Sequence, residues 1–445
     1  MAFSRFALPG AMQQGVLNAA AFLVLAPALW LPSGYSIGAI LLVMLGLWRW
    51  PAVLRGRLAP HAPLRAWALV VLAMGLVWSM YLFEGGRLIT NTLGLDRSSK
   101  YFLVLLALPA VWAQRPAAWA LRWGCWVGAA GAGVLAGWQV LVQHLVRAEG
   151  YTNAIQFGNL SLLLALWSGI WAVQASCPYE RLLGALAAVL GIAASVLSGS
   201  RGGWVVLPVL LVLFVWFARP QTQGSQGSHG RRGLLALGAA LLTCLLLAAL
   251  PPVQQRAHEA AQELLQQPEP EKSNTATGSR LAFWMHAWRL GLEHPWLGAG
   301  QLGYEQSQRE AVARQEMPSM SVHFNHAHNE WLDMFAKRGL LGVIGLALFY
   351  AVPGLLCWRC LRRGGREPLE NAAAAGNEDA ARSECHAAAL CGLVTVLGYL
   401  GFGMTQVMFA HNNGNLMYLL PMSLWLAVCW PGAGAPAAFR APIPR

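Results

Sequence analysis

Charge is what this chain has least of. Of its 445 residues only 19 are Asp or Glu and 31 are Lys or Arg, 11% in total, against roughly 25% in an ordinary soluble domain. Hydrophobic residues make up 56%. So little charge excludes a water-soluble domain and leaves an integral membrane protein.

Other absences narrow the reading. The eight cysteines lie in or beside apolar runs and the longest polar loop contains none, so no disulfide framework is implied. Cys357-Trp358-Arg359-Cys360 has the spacing of a redox or zinc half-site, but it ends an apolar helix with no second pair in sequence, and no metal role is expected for it. No internal repeat is visible, which disfavours transporters assembled from duplicated halves. Two connectors lack any apolar period: residues 219–230 have linker composition, and residues 367–384 are polar and Ala-rich.

What is present is a series of apolar runs long enough for helices, since a span takes about 20 residues and barrel strands would be short and alternating. About twelve are expected, near 14–30, 35–50, 65–84, 99–114, 118–145, 156–175, 181–198, 203–218, 233–252, 339–358, 386–410 and 414–431. The first is read as an uncleaved helix rather than a signal sequence, because the remainder of the chain is also membrane. The fold class expected is therefore an all-α polytopic membrane protein.

Arginines set the orientation. With the N-terminus inside, the inner segments hold Arg49, Arg55, Arg57, Arg115, Arg122, Arg181, Arg219, Arg231, Arg232, Arg359, Arg362 and Arg363, among others, whereas the short outer loops hold only Arg87, Arg97, Lys100, Arg147 and Arg201. Both termini are expected in the cytoplasm. The net charge of +12 thus reflects topology, and no nucleic-acid partner is expected.

The domain organisation expected is nine spans over 1–252, an outer loop domain over 253–338, three spans over 339–432 and a cytoplasmic tail over 433–445. At roughly 88 residues the outer segment is too long for an idle connection. It reads as a polar helix near 253–267, a helix near 280–293, a Pro-Trp-Leu-Gly-Ala-Gly turn, a polar helix near 304–316, and a last helix running from about Asn325 into the tenth span.

Three features of the outer face carry chemistry. Arg201, in Ser198-Gly199-Ser200-Arg201-Gly202-Gly203, interrupts an apolar stretch, and a charge at that depth calls for an anionic partner. Arg280 follows Ser279, a candidate N-cap, which would add free backbone N–H groups to a guanidinium at an anion site. Trp284 and Trp288, one turn apart on that helix, read as an interfacial belt rather than a sugar platform.

His326-Ala327-His328-Asn329 is the third feature. Residues two apart on a helix point about 200° from each other, so both rings reach one site only if His326 precedes the helix. On the helix, His328 would share a face with Leu332, Phe335 and Gly339. A neutral imidazole there serves as a general base toward a sugar hydroxyl, or else is a structural histidine. Zinc is the weaker reading: His-x-His lacks an obvious third ligand, although His323, Glu330 and Asp333 are close in sequence. His411, Asn412, Asn413 and Asn415 fall at the same face and read as a polar turn between helices, with an acceptor groove as the lesser alternative.

The run HNEWLDMFAKRGLLG resembles the signature of bacterial O-antigen ligases: His, then Asn, Ser or Gln, nine free residues, Gly, two free residues, and Gly, Thr or Tyr, here His328, Asn329, Gly339 and Gly342. The stretches from Ser198 to Trp204 and from Gly278 to Gly300 are similar to the wider superfamily, which includes O-antigen polymerases and protein O-oligosaccharyltransferases. The resemblance covers about residues 155–350. It implies a GT-C-type, metal-independent and inverting glycosyltransferase in the bacterial inner membrane, with a catalytic periplasmic loop and no cofactor. The donor it implies is undecaprenyl-diphosphate-linked O-antigen, the acceptor the lipid A core oligosaccharide, and the surroundings membrane lipid.

Carried onto this chain, the resemblance makes His328 the base or acceptor-orienting group and Arg201 and Arg280 the diphosphate-binding pair. His326, Asn329 and Lys100 would contact substrate, Lys100 as a third cation. The residues themselves agree: guanidiniums offset charge on a departing diphosphate, no Asp-x-Asp pair is present in the outer loop to hold a divalent cation, and only Lys100, Lys272 and Lys337 among 31 cations are lysine. A polymerase would use the same donor with a lipid-linked acceptor, a protein-directed transferase would use a serine, and a lipid-linked glycan transporter is the non-enzyme alternative.

Overall fold

A backbone surrounded by hydrocarbon satisfies its N–H and C=O groups internally, which turns long apolar runs into helices. The computed structural model describes residues 9–84, 87–88, 95–200, 202–217, 254, 276–363 and 378–430. They form α1 (Gly10–Leu25), α2 (Tyr35–Leu54), α3 (Ala62–Ser79), α4 (Leu95–Ala113), α5 (Ala118–Gly137), α6 (Ala154–Gln174), α7 (Pro178–Leu197), α8 (Leu207–Phe217), α9 (Ala276–Glu293), α10 (Gly300–Ala313), α11 (Glu330–Arg363), α12 (Glu378–Gly403) and α13 (Asn412–Cys429). A π-helical segment, Trp138–Val142, extends α5, and the two-residue strands β1 (Phe83–Glu84) and β2 (Arg87–Leu88) pair antiparallel.

Among the described residues, seven stretches are long and apolar enough to cross a membrane: α2, α3, Ala118–Val142, α6, α7, α11 and Asp379–Gly403. Their outward faces match the solvent they are built for. Ile37, Ile40, Met44 and Leu47 on α2, Leu182, Leu186, Val189 and Val196 on α7, and Leu341, Ile344, Leu348 and Leu355 on α11 are exposed at helical spacing. Such stripes would aggregate in water and suit lipid. The chain is a multi-pass membrane protein.

Helix α13 runs through the interior. From Gly414 to Cys429 it is buried, packed by α4, α6, α11 and α12. Three of its polar side chains meet neighbouring helices: Trp67 Nε1 donates to Ser423 Oγ at 2.9 Å, Tyr418 Oη to the Phe349 carbonyl at 2.8 Å, and Tyr101 Oη to Asn415 Oδ1 at 2.7 Å. A helix surrounded by protein can carry Asn412, Asn413 and Asn415 in its first turn, which lipid would penalise.

The two ends of the bundle are distinct. At one end the starts of α1, α5, α7 and α12 meet the ends of α4 and α6, where Arg122 pairs with Glu180 at 2.7 Å, Arg115 with Glu384 at 3.8 Å, and Ser383 Oγ donates to Gln174 at 2.7 Å. At the other end, the starts of α4, α11 and α13 gather with the loop between α12 and α13. The helix ends grouped by the arginine count are thus grouped in space. The run 233–252 and the helix expected near 253–267 lie outside the described residues, Gln254 excepted.

Candidate active site

The site is assembled at the start of α11, and a backbone crossing fixes it there. Gly339 breaks α11 with φ 60° and ψ −158°, and a Cβ on it would lie 2.4 Å from the Trp296 carbonyl carbon. Gly298 has φ 74°, and a Cβ there would lie 2.3 Å from the Arg338 nitrogen. Between these strands of backbone, Ala299 N donates to the Ala336 carbonyl at 2.8 Å, Leu340 N to Pro295 at 2.7 Å and Leu341 N to Trp296 at 3.2 Å. The Pro-Trp-Leu-Gly-Ala-Gly turn and the Gly339 break are therefore one structural unit, and Tyr81 Oη, just past the end of α3, donates to the Leu297 carbonyl at 2.8 Å.

This unit corrects three local expectations. The last helix begins at Glu330, not near Asn325, so His326 and His328 both precede it and His328 does not share a helical face with Leu332. Helix α9 begins at Ala276, so Ser279 lies within it rather than capping it, and Arg280 sits in the second turn. Helix α10 covers Gly300–Ala313, several residues earlier than the polar helix expected near 304–316. Trp288 is exposed and packs on Phe335 at 5.4 Å between ring centroids.

Asn329 caps α11. Its Oδ1 accepts from Trp331 N at 3.0 Å and Leu332 N at 3.1 Å, while its Nδ2 donates to the Met404 carbonyl at 3.3 Å. The amide is occupied in holding the loop against the α12–α13 connection. One turn into the helix, Asp333 accepts from Ala327 N at 2.9 Å and pairs with Lys337 Nζ at 2.7 Å, and Lys337 also donates to the Asn325 carbonyl at 2.7 Å. Both side chains are buried, and Lys337 rests on the Tyr304 ring at 4.7 Å.

Held this way, the loop bends sharply. His328 takes φ 53°, rare outside glycine, and its N–H donates to His326 Nδ1 at 3.3 Å. The two imidazoles stand edge to face at 4.2 Å, and His411, arriving from the α12–α13 connection, brings its ring to 6.1 Å from His326. Phe324 and Phe283 flank His328 at 5.2 and 5.6 Å. His326 is buried, whereas His328 is half-buried.

Burial keeps all three rings neutral. Desolvation, then the charge of Arg280, brings His328 down from an ordinary 6.5 to about 4, against a hydrogen bond with Gln406 and the charge of Asp333. Desolvation, then Arg97, brings His411 to about 4. His326 falls well below its ordinary value for the same first reason, with His328, Lys337, His411 and Arg97 adding to it. The Nδ1 of His328 has no hydrogen-bond partner among the described residues.

The cations are distributed differently from the sequence reading. Arg280 lies close enough for its charge to act on His328, so the structure brings these two together. Lys100 is engaged in an ion pair with Asp96, whose other oxygen accepts from Asn412 Nδ2 at 2.9 Å. The cation whose charge reaches His326 and His411 is Arg97, 4% exposed and stacked at 5.0 Å over Trp78, which Arg338 also covers at 4.0 Å. The sequence reading counts Arg97 only toward orientation. Its signal is its place at the first turn of a helix whose next outward cation, Lys100, has an acidic partner at i−4.

Arg201 lies outside the described residues. Of its neighbours, Gly202 is packed so closely on Thr405 that a Cβ would lie 2.2 Å from Oγ1, and a Cβ on Gly203 would lie 2.4 Å from Asn159 Oδ1. Thr405 directly precedes Gln406, the hydrogen-bond partner of His328. Asn413 and Asn415 serve helix contacts, accepting from Tyr35 at 2.6 Å and Tyr101 at 2.7 Å; with Asn412 they lie in the first turn of α13 rather than in a turn between helices, and only His411 precedes it.

Comparison with known proteins adds two findings. Residues 186–347 match the family model described as O-antigen ligase, a segment that runs from α7 through the histidine loop to the middle of α11. The match supports the resemblance carried by His328, Asn329, Gly339 and Gly342. A protein of Haemophilus influenzae described as uncharacterized is 26% identical over 274 residues, 61% of this chain, and the chain spans 63% of that relative's length.

Proposed function

We propose, from residues 186–347 as a domain of the O-antigen ligase and polymerase superfamily, that this chain is an O-antigen ligase. It moves O-antigen from undecaprenyl diphosphate to the lipid A core oligosaccharide at the periplasmic face of the inner membrane. The observation that carries the reading is His328: a neutral, half-buried imidazole beside a guanidinium, inside the segment that matches the family.

In the proposed reaction the acceptor hydroxyl attacks the anomeric carbon from the side opposite the diphosphate, inverting it. The bond from that carbon to the diphosphate oxygen breaks, His328 takes or orients the hydroxyl proton, and undecaprenyl diphosphate leaves with the negative charge. Arg280 and Arg201 would offset that charge, and Arg97 replaces Lys100 as the third cation, because Lys100 is already paired. Asn329, His326 and His411 position His328: Asn329 fixes the loop, and the two imidazoles supply an uncharged wall that lets its ring stay neutral.

Twelve spans, a GT-C arrangement and cytoplasmic termini complete the proposal. Each apolar run other than 233–252 overlaps a described helix, and the arginine bias assigns the histidine end to the periplasm. The test is a transfer assay with purified protein, defined lipid-diphosphate donor and lipid A core acceptor. Glycan joined to the core supports ligation. Glycan lengthened on the lipid carrier would replace it with polymerisation, and no transfer with both substrates supplied would favour transport.

A further inference from the structure

The opposite end of the bundle holds a group of side chains that glycosyl transfer does not use. Cys360 ends α11, Cys385 starts α12 and Cys429 ends α13, and their sulfurs all lie within 4.8 Å of one another. Cys360 Sγ and Cys385 Sγ are 3.0 Å apart. All three thiols are buried, with exposures of 5%, 3% and 1%. Their polar contacts with the backbone are long: Cys385 Sγ to the Cys429 carbonyl at 3.7 Å, Cys360 Sγ to the same oxygen at 4.0 Å, and Cys429 Sγ to the Cys385 carbonyl at 3.9 Å.

We propose that Cys360, Cys385 and Cys429 form a thiolate site for a soft d¹⁰ metal ion, zinc(II) or copper(I), that ties the ends of α11, α12 and α13 together. A buried cysteine by itself is a small hydrophobe and needs no further role. Three from separate helices in one small triangle match the donor type and spacing of a metal site. A tetrahedral zinc with bonds of about 2.3 Å separates its sulfurs by about 3.8 Å, so the ion fits once the closest pair opens, and any pair near the 4.8 Å limit closes, by about 1 Å or less. Cys357 stands one turn before Cys360 and its thiol contacts Cys429, but it lies outside the triangle of the other three, so zinc would take its fourth donor from Cys357 only after that side chain turns inward, whereas copper(I) is content with three.

The charges close as well. Entry of the ion releases one proton from each ligating thiol, and the resulting thiolate–metal unit is anionic. Arg115 and His386 are near enough for their charge to act on Cys385, where they stabilise that anion. The site is at the end of the bundle that the arginine bias assigns to the cytoplasm, a compartment that keeps thiols reduced and so favours ligation over a disulfide.

The full-length chain is purified in detergent from cells grown with zinc or with copper supplement, and its metal is measured by elemental analysis. About one ion per chain is expected, falling at least tenfold in Cys385→Ser and Cys429→Ser and unchanged in Cys177→Ser, whose thiol is exposed elsewhere. Retention from the zinc culture alone identifies zinc, and retention from the copper culture alone identifies copper(I). Equal metal in wild type and Cys385→Ser overturns the site, as does a Cys360–Cys385 disulfide in protein alkylated at lysis. Where the serine variants do not fold, wild type is stripped with a chelator and titrated with cobalt(II): a thiolate-to-cobalt charge-transfer band supports the site, and its absence overturns it.

Discussion

Gly298 and Gly339 meet backbone to backbone, each in the left-handed region, with a Cβ on Gly298 falling 2.7 Å from the Gly339 nitrogen. Neither position has room for a side chain, and neither backbone conformation suits one. The crossing holds the α9–α10 turn to the break in α11, and so holds Arg280 relative to His328.

Gly339→Ala should therefore destabilise the protein by at least about 1–3 kcal/mol from backbone strain, before the clash with Trp296 is counted. Gly354→Ala, in the same helix but with its nearest neighbour 3.5 Å from the new Cβ, should change stability by under about 0.5 kcal/mol. Thermal unfolding in detergent compares them. Equal melting temperatures for the two variants would show that the crossing is not tight.

Asp333 and Lys337 form a buried pair that also carries the loop backbone through Ala327 and Asn325. Replacing either alone leaves an unpaired buried charge and should cost about 3–5 kcal/mol. In Asp333→Asn with Lys337→Met the orphan charge is gone, and the double variant should lose less than the sum of the two singles. A double-variant cycle measures the coupling, and additive losses would mean the pair does not act as a unit.

Transfer should persist well into acid. With His328 at about 4 the imidazole is still about nine-tenths neutral at pH 5, whereas at the ordinary 6.5 about a thirtieth would be. Stability behaves differently. Because the folded values of His326, His328 and His411 lie below the unfolded value, the unfolded chain takes up protons first as pH falls below 6.5. Their contribution is thus fully present above pH 6.5 and is lost as pH falls toward 4. Rates should be taken only at pH values where the melting curve shows a folded protein. A rate limb centred near 6.5 with the fold intact would contradict the buried, uncharged imidazole.

Arg97→Ala should lower transfer by about a hundredfold if its guanidinium faces developing charge, while Lys100→Ala, which removes one side of a partly exposed ion pair, should cost about fivefold or less. The ratio of initial rates at matched expression decides it. A larger loss at Lys100 would restore the cation chosen from sequence alone.

The legibility of the chain comes from the range of the forces involved. Apolar runs announce their helices because the requirement of backbone satisfaction in lipid is local and composition alone meets it. Helix α13 shows where composition weakens: Asn412, Asn413 and Asn415 lower its apolar character, yet among the described helices it is the most enclosed, since protein rather than lipid surrounds it. The histidine run is visible as a motif, but whether both rings share a site depends on where α11 starts, and the Asn329 cap and the Gly339 break decide that through contacts with Met404 and Trp296. Asn329 looks like a substrate contact in sequence because capping and binding ask for the same amide.

Hydropathy, charge bias and a spaced motif are written along the chain, and they suffice for a polytopic helical protein, the sidedness expected of its loops, and the loop in which His328 and Arg280 stand. That Arg97 rather than Lys100 reaches the imidazoles, that His411 joins them, and that Cys385 and Cys429 meet Cys360 at the far end emerge only in three dimensions. Those pairings join residues whose separation in sequence has no period, and packing of whole helices is what brings them together.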